Sequence, residues 1–259
     1  MILSDDKLLA SHELDPVNLY NLDGQSPIFL VCEHAGKRLP EKLGDLGLDA
    51  ADLERHIAWD IGAEAVSLGL SARLDAPLIT QTYSRLVCDC NRALDADSFM
   101  PTLSEATVIP GNRHLTAEQR QARINEIYLP LHRRIEQEID RRLAEGKPVI
   151  FVSVHSFTPF FLGEERPMHL GLLYAKDPRL AGLIGSILGG QGDLSIVDNE
   201  PYALDYDRDF TVPYHGERRG IPSIEFEIRQ DLITTSDGQE AWAERLADAL
   251  AKSAHHLVV

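Results

Sequence analysis

Five short apolar runs along the chain are typical of buried strands. Three of them close on a polar residue: IFLVCEH at 28–34, VIFVSVH at 149–155 and SIEFE at 223–227. Two more, APLITQTYS at 76–84 and HLGLLYA at 169–175, have similar length and composition. Runs of this length bounded by polar segments fit strands better than helices, which are usually longer. The pattern therefore predicts five strands.

Between these runs, apolar residues recur three or four positions apart, which is helical spacing. The spacing predicts four helices, over residues 49–70, 116–145, 177–190 and 238–256. In the second of them, Thr116 is a candidate N-cap and Gly146 a stop signal. Pro130 lies inside this pattern and removes a backbone N–H, so we expect it to kink the helix or divide it in two.

Strands interleaved with helices predict an α/β fold. We expect a three-layer α/β/α sandwich with a mixed, mostly parallel central sheet. A chain of 259 residues with 44% hydrophobic content can bury one core, and no linker divides it, so residues 1–259 are predicted to form a single domain. Long irregular loops at 36–48, 94–115, 156–168 and 198–220 are candidates to carry function.

Composition and charge narrow the class of partner. The formal net charge of −16 argues against binding nucleic acid or an anionic membrane surface, because both require a basic face. The chain has no apolar run of about 18 residues, and acids stand where a signal peptide needs basic residues. Cys32, Cys88 and Cys90 cannot all pair within the chain. We therefore expect a cytoplasmic protein with reduced cysteines and a small-molecule ligand.

Candidate chemistry stands where three of the predicted strands end, at His34, His155 and Glu227. Ligands of open α/β sheets bind at the carboxyl ends of the strands, and a catalytic zinc takes three His or carboxylate ligands plus water. Any one of these residues could simply close its strand and face solvent. Three such endings in one chain favour a shared site, and hence a metal-dependent enzyme.

Six motifs, in order along the chain, carry a resemblance to a known family. They are EHAGKRLP (33–40), HIAWDIGA (56–63), YSRLVCDCNR (83–92), YLPLHRRI (128–135), VHSF (154–157) and HGERRGIPSIEFEIRQDLI (215–233). This set resembles the N-formylglutamate amidohydrolase family and covers most of the chain. The resemblance implies a zinc carboxypeptidase-like fold, one Zn²⁺ per chain and, for the deformylating members, conversion of N-formylglutamate to formate and glutamate in histidine degradation.

The third metal ligand is the least determined part of the predicted site. Zinc carboxypeptidases have a Glu three residues after the first His, but here that position is Lys37, which cannot bind a metal while protonated. We prefer Asp60, which matches a family-like Asp position and falls in the first predicted helix. Asp60 could instead be a surface acid or a hydrogen-bond partner of a ligand. His56, one helical turn earlier, and Glu33, expected opposite His34 on its strand, are weaker alternatives.

Glu227 is the candidate general base, which would take a proton from water and return it to the leaving amine. Alternation in the SIEFEI run places Glu225 and Glu227 on one face of the strand, so periodicity alone does not choose between them. The resemblance to the carboxypeptidase strand favours Glu227, with Glu225 as a supporting residue.

An acidic substrate requires arginine in a protein this negative, because the guanidinium fork matches a carboxylate in shape and charge. Asn91 and Arg92 resemble the Asn-Arg pair with which zinc carboxypeptidases bind the substrate carboxylate. Arg85 is predicted to stabilise the oxyanion of the reaction, with binding of the second substrate carboxylate as the other role open to it. Salt bridges with Asp89 or Asp95 are the alternative for these arginines.

The sequence thus predicts a zinc hydrolase that cleaves the amide of an N-formyl acidic amino acid, most simply N-formyl-L-glutamate. His215 and Arg219 are predicted to complete the pocket for this small anionic substrate. Two other functions stay open: a zinc deacylase or carboxypeptidase acting on another N-acyl amino acid, and a non-catalytic binding protein on the same scaffold. The oligomeric state is not predicted.

Overall fold

The computed structural model describes residues 7–190 and 192–257, so residues 1–6, the start of the acidic segment considered above, lie outside it. The strands are β1 Val17–Tyr20, β2 Ile28–Cys32, β3 Leu78–Gln81, β4 Leu103–Ser104, β5 Thr107–Val108, β6 Ile150–Phe157, β7 Phe160–Phe161, β8 Glu164–Glu165, β9 Leu170–Leu173, β10 Ile196–Asp198 and β11 Ser223–Arg229. The α-helices are α1 Ala63–Leu74, α2 Ala117–Arg123, α3 Leu129–Ala144, α4 Arg179–Gly189 and α5 Ser236–Leu257.

Seven strands form one sheet in the order β1-β3-β2-β6-β11-β9-β10. The central run β3-β2-β6-β11 is parallel, as is the pair β9-β10, whereas β1 and β9 pair antiparallel with β3 and β11. All five predicted strands are present. The two that the sequence did not predict, β1 and β10, are short, half-buried edge strands with little apolar signal.

Helices cover both faces of the sheet. On one face, Ile28 and Leu30 of β2 pack into a core with α1, α4 and α5, and on the other Phe29 and Val31 pack with α3. Strands that are buried on both faces have nearly continuous apolar sequences. The short apolar runs in the sequence therefore predicted these strands correctly. The predicted three-layer α/β/α architecture with a mixed, mostly parallel sheet is confirmed.

The second predicted helix is divided as expected. Thr116 caps α2 through a reciprocal pair of hydrogen bonds with Gln119, in which each side chain accepts from the other residue's backbone N–H. A wider π-helical stretch, Ile124–Tyr128, joins α2 to α3, and Pro130 lies in the first turn of α3. Pro130 has no N–H to donate to the preceding turn, and the chain adjusts by this local change of helix type.

The prediction of one helix over residues 49–70 is wrong in its first half. The chain makes only a 3₁₀ turn at Asp52–Glu54, and α1 begins at Ala63. Gly62 adopts a left-handed conformation with φ of 80°, which ends any helix approaching from the N-terminal side. Asp60 therefore lies in a turn before α1 rather than in a helix.

The long loops fold into small ordered units at the carboxyl edge of the sheet. The hairpins β4-β5 and β7-β8 occupy the loops predicted at 94–115 and 156–168, and a π-helical turn, Thr211–Gly216, lies in the loop at 198–220. Among the described helices, none has the length and apolar character needed to span a membrane.

Candidate active site

Two histidines and one aspartate meet in a buried cluster at the carboxyl ends of β2 and β6. The Nδ1 atoms of His34 and His155 lie 3.1 Å apart, and Asp60 Oδ2 lies 3.4 Å from the first and 2.8 Å from the second. The backbone N–H of Asp60 donates to the carbonyl of His34, which holds the turn before α1 against the end of β2. Asp60 Oδ2 also accepts from the backbone N–H of Ser156. The parallel pairing of β2 with β6 brings the two histidines together.

This cluster has the dimensions of a metal site. Its three ligand atoms lie within 4.8 Å of one another, and all three residues are buried. Ligands about 2.0–2.1 Å from a tetrahedral zinc are about 3.3 Å apart, close to the separations seen here. A set of two imidazoles and one carboxylate suits zinc by its chemistry as well.

Hydrogen bonds behind each imidazole turn its Nδ1 toward the centre of the cluster. His34 Nε2 donates to Asp89 Oδ1 at 2.7 Å. His155 Nε2 lies 2.8 Å from Ser153 Oγ and 3.2 Å from Glu33 Oε2. Metal-binding histidines commonly use their second ring nitrogen in this way. Glu33, a weaker candidate for the third ligand, thus lies on the far side of His155 from the cluster centre.

The electrostatic environment of the cluster favours positive charge. Burial by itself raises the pKa of Asp60, but the charge on His34 and the hydrogen bonds from both histidines outweigh it and hold that pKa well below its usual range. Burial lowers the pKa of His155, yet Glu225, Glu33 and Asp60 together raise it well above its usual value. The site therefore stabilises a cation, whether protons on its histidines or a metal ion.

Glu225 and Glu227 lie on one face of β11, opposite Ser153 and His155 of β6, as the alternation predicts. Glu225 Oε2 accepts a hydrogen bond of 2.9 Å from Asn91 Nδ2. Glu227 Oε2, also buried, has no partner among the residues that the structure describes. Burial is the largest influence on the Glu227 pKa and raises it well above the usual range. Of the two acids, Glu227 has the carboxylate oxygen available for chemistry.

A cleft of about 260 Å³ opens beside the cluster, and Arg85, Asn91 and Arg92 line it. Arg85 directs three of its five N–H groups to protein carboxylates, two to Asp89 Oδ2 and one to Asp60 Oδ1. Burial would lower the pKa of Arg85, but the charges of Asp89 and Asp60 raise it instead. The guanidinium therefore stays charged at the wall of the cleft.

Asn91 and Arg92 reach the cleft with part of their hydrogen-bonding capacity already used. Asn91 Nδ2 donates to Glu225, and its Oδ1 accepts from the backbone N–H of Thr211. Arg92 forms an ion pair with the buried Asp209, and the two residues also pair as an isolated β-bridge. These contacts join the loop after β3 to the loop before β11, a pairing that no sequence spacing indicates.

His215 and Arg219 do not line the cleft. His215 is buried, and its Nε2 lies 2.9 Å from Nδ1 of His132, whose Nε2 donates to the carbonyl of Cys90. Arg219 instead pairs with Asp140 on the surface of α3. His215 belongs to the π-helical turn and Arg219 to the 3₁₀ turn that follows it, a placement away from the cleft lining that their proximity to Glu227 in sequence did not reveal.

Other residues of the site were either assigned a different role by the sequence or not found by its pattern. His56 lines the cleft but stands with Glu105, 3.4 Å away, rather than with the cluster. Asp89, considered only as a salt-bridge partner, holds His34. Ser153 could have been found, because strand alternation places it on the same face as His155. Tyr202 and Arg208, which also line the cleft, lie on an irregular loop that gives no periodic signal.

A buried His-His-Asp cluster beside an unpaired Glu, at the carboxyl edge of a mixed α/β sheet, has the donor set of the metal-dependent hydrolases. The chain belongs to the N-formylglutamate amidohydrolase family, whose model matches residues 26–234.

Solved structures similar to this chain include one from Agrobacterium tumefaciens and one from Ralstonia eutropha. The gene product Atu2144 from Agrobacterium tumefaciens is 37% identical, with a TM-score of 0.94 over 98% of this chain and 100% of that chain. N-formylglutamate amidohydrolase from Ralstonia eutropha is 19% identical, with a TM-score of 0.71 over 94% of this chain and 98% of that one, a likeness that shows the fold. No curated protein matches the chain in sequence at a significant level.

Proposed function

We propose that the protein is a zinc-dependent amidohydrolase that converts N-formyl-L-glutamate to formate and L-glutamate. The observation that carries this proposal is the buried triangle of His34, Asp60 and His155 beside the unpaired carboxylate of Glu227. Membership of the N-formylglutamate amidohydrolase family supports amide hydrolysis and the class of substrate.

The residues present fit a zinc ion. Nδ1 of His34, Nδ1 of His155 and Oδ2 of Asp60 would hold it. A bound zinc would supply an activated water and a Lewis acid for the formyl oxygen. Lys37 does not compete for this place, because it pairs with Glu54 and lies over the ring of Trp59. The absence of a Glu at position 37, which by itself favours a non-catalytic protein on this scaffold, is thus offset by Asp60 as the third donor.

Glu227 acts on the proton of the attacking water. As the water oxygen bonds to the formyl carbon, Glu227 takes its proton, and it passes that proton to the amide nitrogen as the carbon-nitrogen bond breaks. Burial favours this proton uptake, since it raises the pKa of the carboxyl group. Formate and the free amine of glutamate are the products.

Arg85 stabilises the negative charge that develops on the formyl oxygen. Two of its five N–H groups are not used on Asp60 or Asp89. The two aspartates fix the guanidinium in place, so little reorganisation accompanies the reaction.

Formate release from N-formyl-L-glutamate tests the proposal, measured on the protein as isolated, after chelation and after zinc is restored. We expect activity to disappear with the chelator and to return with zinc. His155→Ala, which removes one ligand, is expected to abolish both zinc binding and activity. One equivalent of bound zinc without formate release would overturn the substrate assignment, and absence of bound metal would overturn the zinc-dependent mechanism.

A further inference from the structure

The cleft contains more acidic than basic side chains, so an anionic substrate needs a specific basic group to bind it. The carboxylates that line it are Asp60, Asp89, Glu105, Asp209, Glu225 and Glu227, and the guanidinium groups are Arg85, Arg92 and Arg208. The chain as a whole is also strongly negative. A carboxylate entering this cleft is attracted most strongly by a guanidinium whose charge is not already neutralised by a close acid.

Two of the three arginines are neutralised by the protein. Arg85 bonds to both Asp89 and Asp60, and its side chain is 24% exposed. Arg92 forms an ion pair with Asp209 and donates to the carbonyl of its neighbour Asn91, and its side chain is 19% exposed. Both arginines keep N–H groups that the protein does not use, but the charge of each is already balanced by a buried acid, which weakens its attraction for a substrate carboxylate.

Arg208 differs from both. Its side chain is 56% exposed, and its nearest carboxylate oxygen, in Asp209, is 3.8 Å away. Asp209 is engaged elsewhere, by Arg92 and by the backbone N–H of Asp205. A weak hydrogen bond of 3.3 Å from Arg208 Nη2 to the carbonyl of Ala203 is the side chain's other contact in the described part of the chain.

The backbone at Arg208 is nevertheless fixed beside the predicted Asn-Arg pair. The N–H of Ala93 donates to the carbonyl of Arg208 at 2.9 Å, and Arg92 and Asp209 form the adjacent β-bridge. A fixed backbone with an exposed guanidinium is suited to binding a ligand that enters the cleft. The side chain of Arg208 is also the more exposed of the two arginines on this bridge, 56% against 19% for Arg92.

We propose that Arg208 determines substrate specificity by binding the side-chain carboxylate of the N-formyl amino acid. The inference rests on the proposed function, because it takes the formyl group to lie at the cluster. With that group inside, the side-chain carboxylate is the end of the substrate that points outward. Arg92 would then serve to hold Asp209 and the loop that carries Arg208.

The test compares N-formyl-L-glutamate with N-formyl-L-glutamine, which has the same shape without the side-chain charge. Arg208→Gln is expected to lower kcat/KM for N-formyl-L-glutamate about 10- to 100-fold, the loss typical of a hydrogen-bonded charge pair, mainly through KM. Its kcat/KM for N-formyl-L-glutamine should change less than about threefold by the same reasoning. Activity on the uncharged compound also shows that the variant is folded.

Arg133→Gln is the matched control, since it makes the same change in net charge at an exposed position on α3. It should leave both substrates unaffected, which separates local binding from long-range repulsion. Equal losses on the two substrates in Arg208→Gln, or a selective loss in Arg92→Gln with Arg208→Gln unchanged, would overturn the assignment of Arg208 but not the reaction. A wild-type protein that hydrolyses neither compound would overturn the proposed function, and this assignment with it.

Discussion

The orientation of His155 is decided by groups that lie behind it. Its Nε2 faces Ser153 Oγ and Glu33 Oε2, while its Nδ1 faces Asp60 and His34. Burial opposes ionisation of Glu33, but the charge and hydrogen bond of His155 lower the Glu33 pKa to about 2. Glu33 is therefore a carboxylate that fixes the ring of His155. This role replaces the alternative in which Glu33 is a metal ligand.

Glu33→Gln should weaken zinc binding about 10- to 100-fold, because the neutral amide no longer favours the required ring orientation and basicity of His155. Competition with a chromophoric chelator measures this affinity directly. Glu64→Gln, a change at a partly buried acid of α1 outside the cluster, is the control and should leave it unchanged. Unaltered zinc affinity in Glu33→Gln would show that Ser153 suffices to hold the ring.

Glu227→Gln should reduce kcat about 100-fold or more, since a general base contributes about that much, while zinc stays bound at one equivalent. Glu225→Gln is the matched variant on the same strand face. It should cost less than about tenfold, because a glutamine oxygen can still accept from Asn91. Formate release and metal content are measured together on both proteins. The reverse order of losses would assign the base to Glu225.

At the scale of elements, the turn between β2 and α1 is what delivers Asp60 to the cluster. Gly62 lies two residues later, with φ of 80°, and a Cβ there would stand 2.2 Å from the carbonyl oxygen of Ile233. The N–H of Ala63 donates to the carbonyl of Asp60, so the turn and the first residue of α1 are coupled. Close packing against the backbone at Ile233 therefore controls the position of a candidate ligand.

Gly62→Ala should lower the free energy of unfolding by about 2 kcal/mol or more, since both the left-handed backbone and the clash with a carbonyl are unfavourable. It should also weaken zinc binding, because relief of the clash moves Asp60. Gly182→Ala in α4 is the control. Apart from its chain neighbours and the backbone of its own helix, no atom of the described residues lies within 4 Å of the added Cβ, so this change should stabilise the protein by up to about 1 kcal/mol. Urea unfolding measures the free energy of unfolding of both variants. An unchanged free energy of unfolding in Gly62→Ala would contradict the strain argument.

At the scale of the whole molecule, a pair of buried histidines joins α3 to the π-helical turn before β11. His132 Nε2 donates to the Cys90 carbonyl, so its Nδ1 accepts from Nε2–H of His215, and both rings are neutral in this arrangement. Burial is the largest cause that lowers the pKa of His132 to about 4, and burial together with His132 and Arg219 lowers the pKa of His215.

These depressed pKa values make the fold sensitive to acid. The unfolded state binds a proton near pH 6.5, whereas folded His132 does not until about pH 4, so stability is present above pH 6.5 and lost as the pH falls toward 4. The full loss from His132 is about 3 kcal/mol, of which about 2 kcal/mol falls between pH 7.5 and pH 5. Urea midpoints of the chelated protein at pH 7.5 and pH 5 measure it, and His132→Gln should show a smaller decrease. Equal decreases in the two proteins would refute this source of acid sensitivity.

The sequence by itself determined the five inner strands of the sheet, the family and most of the candidate cluster. Apolar content and alternation are local properties, so β2, β6 and β11 were recognisable, and His34, His155 and Glu227 followed from their position near the strand ends. Pro130 acted as expected because the missing N–H belongs to the residue itself.

Only the tertiary structure decided which polar groups face each other. Asp89 lies 55 residues from His34 along the chain, and Asp209 lies 117 residues from Arg92, yet these pairs set the charge of the cleft. The placement of Asp60 in a turn likewise depends on Gly62 packing against Ile233. Such contacts arise from how strands and loops pack in three dimensions, and the spacing of residues along the chain does not predict them.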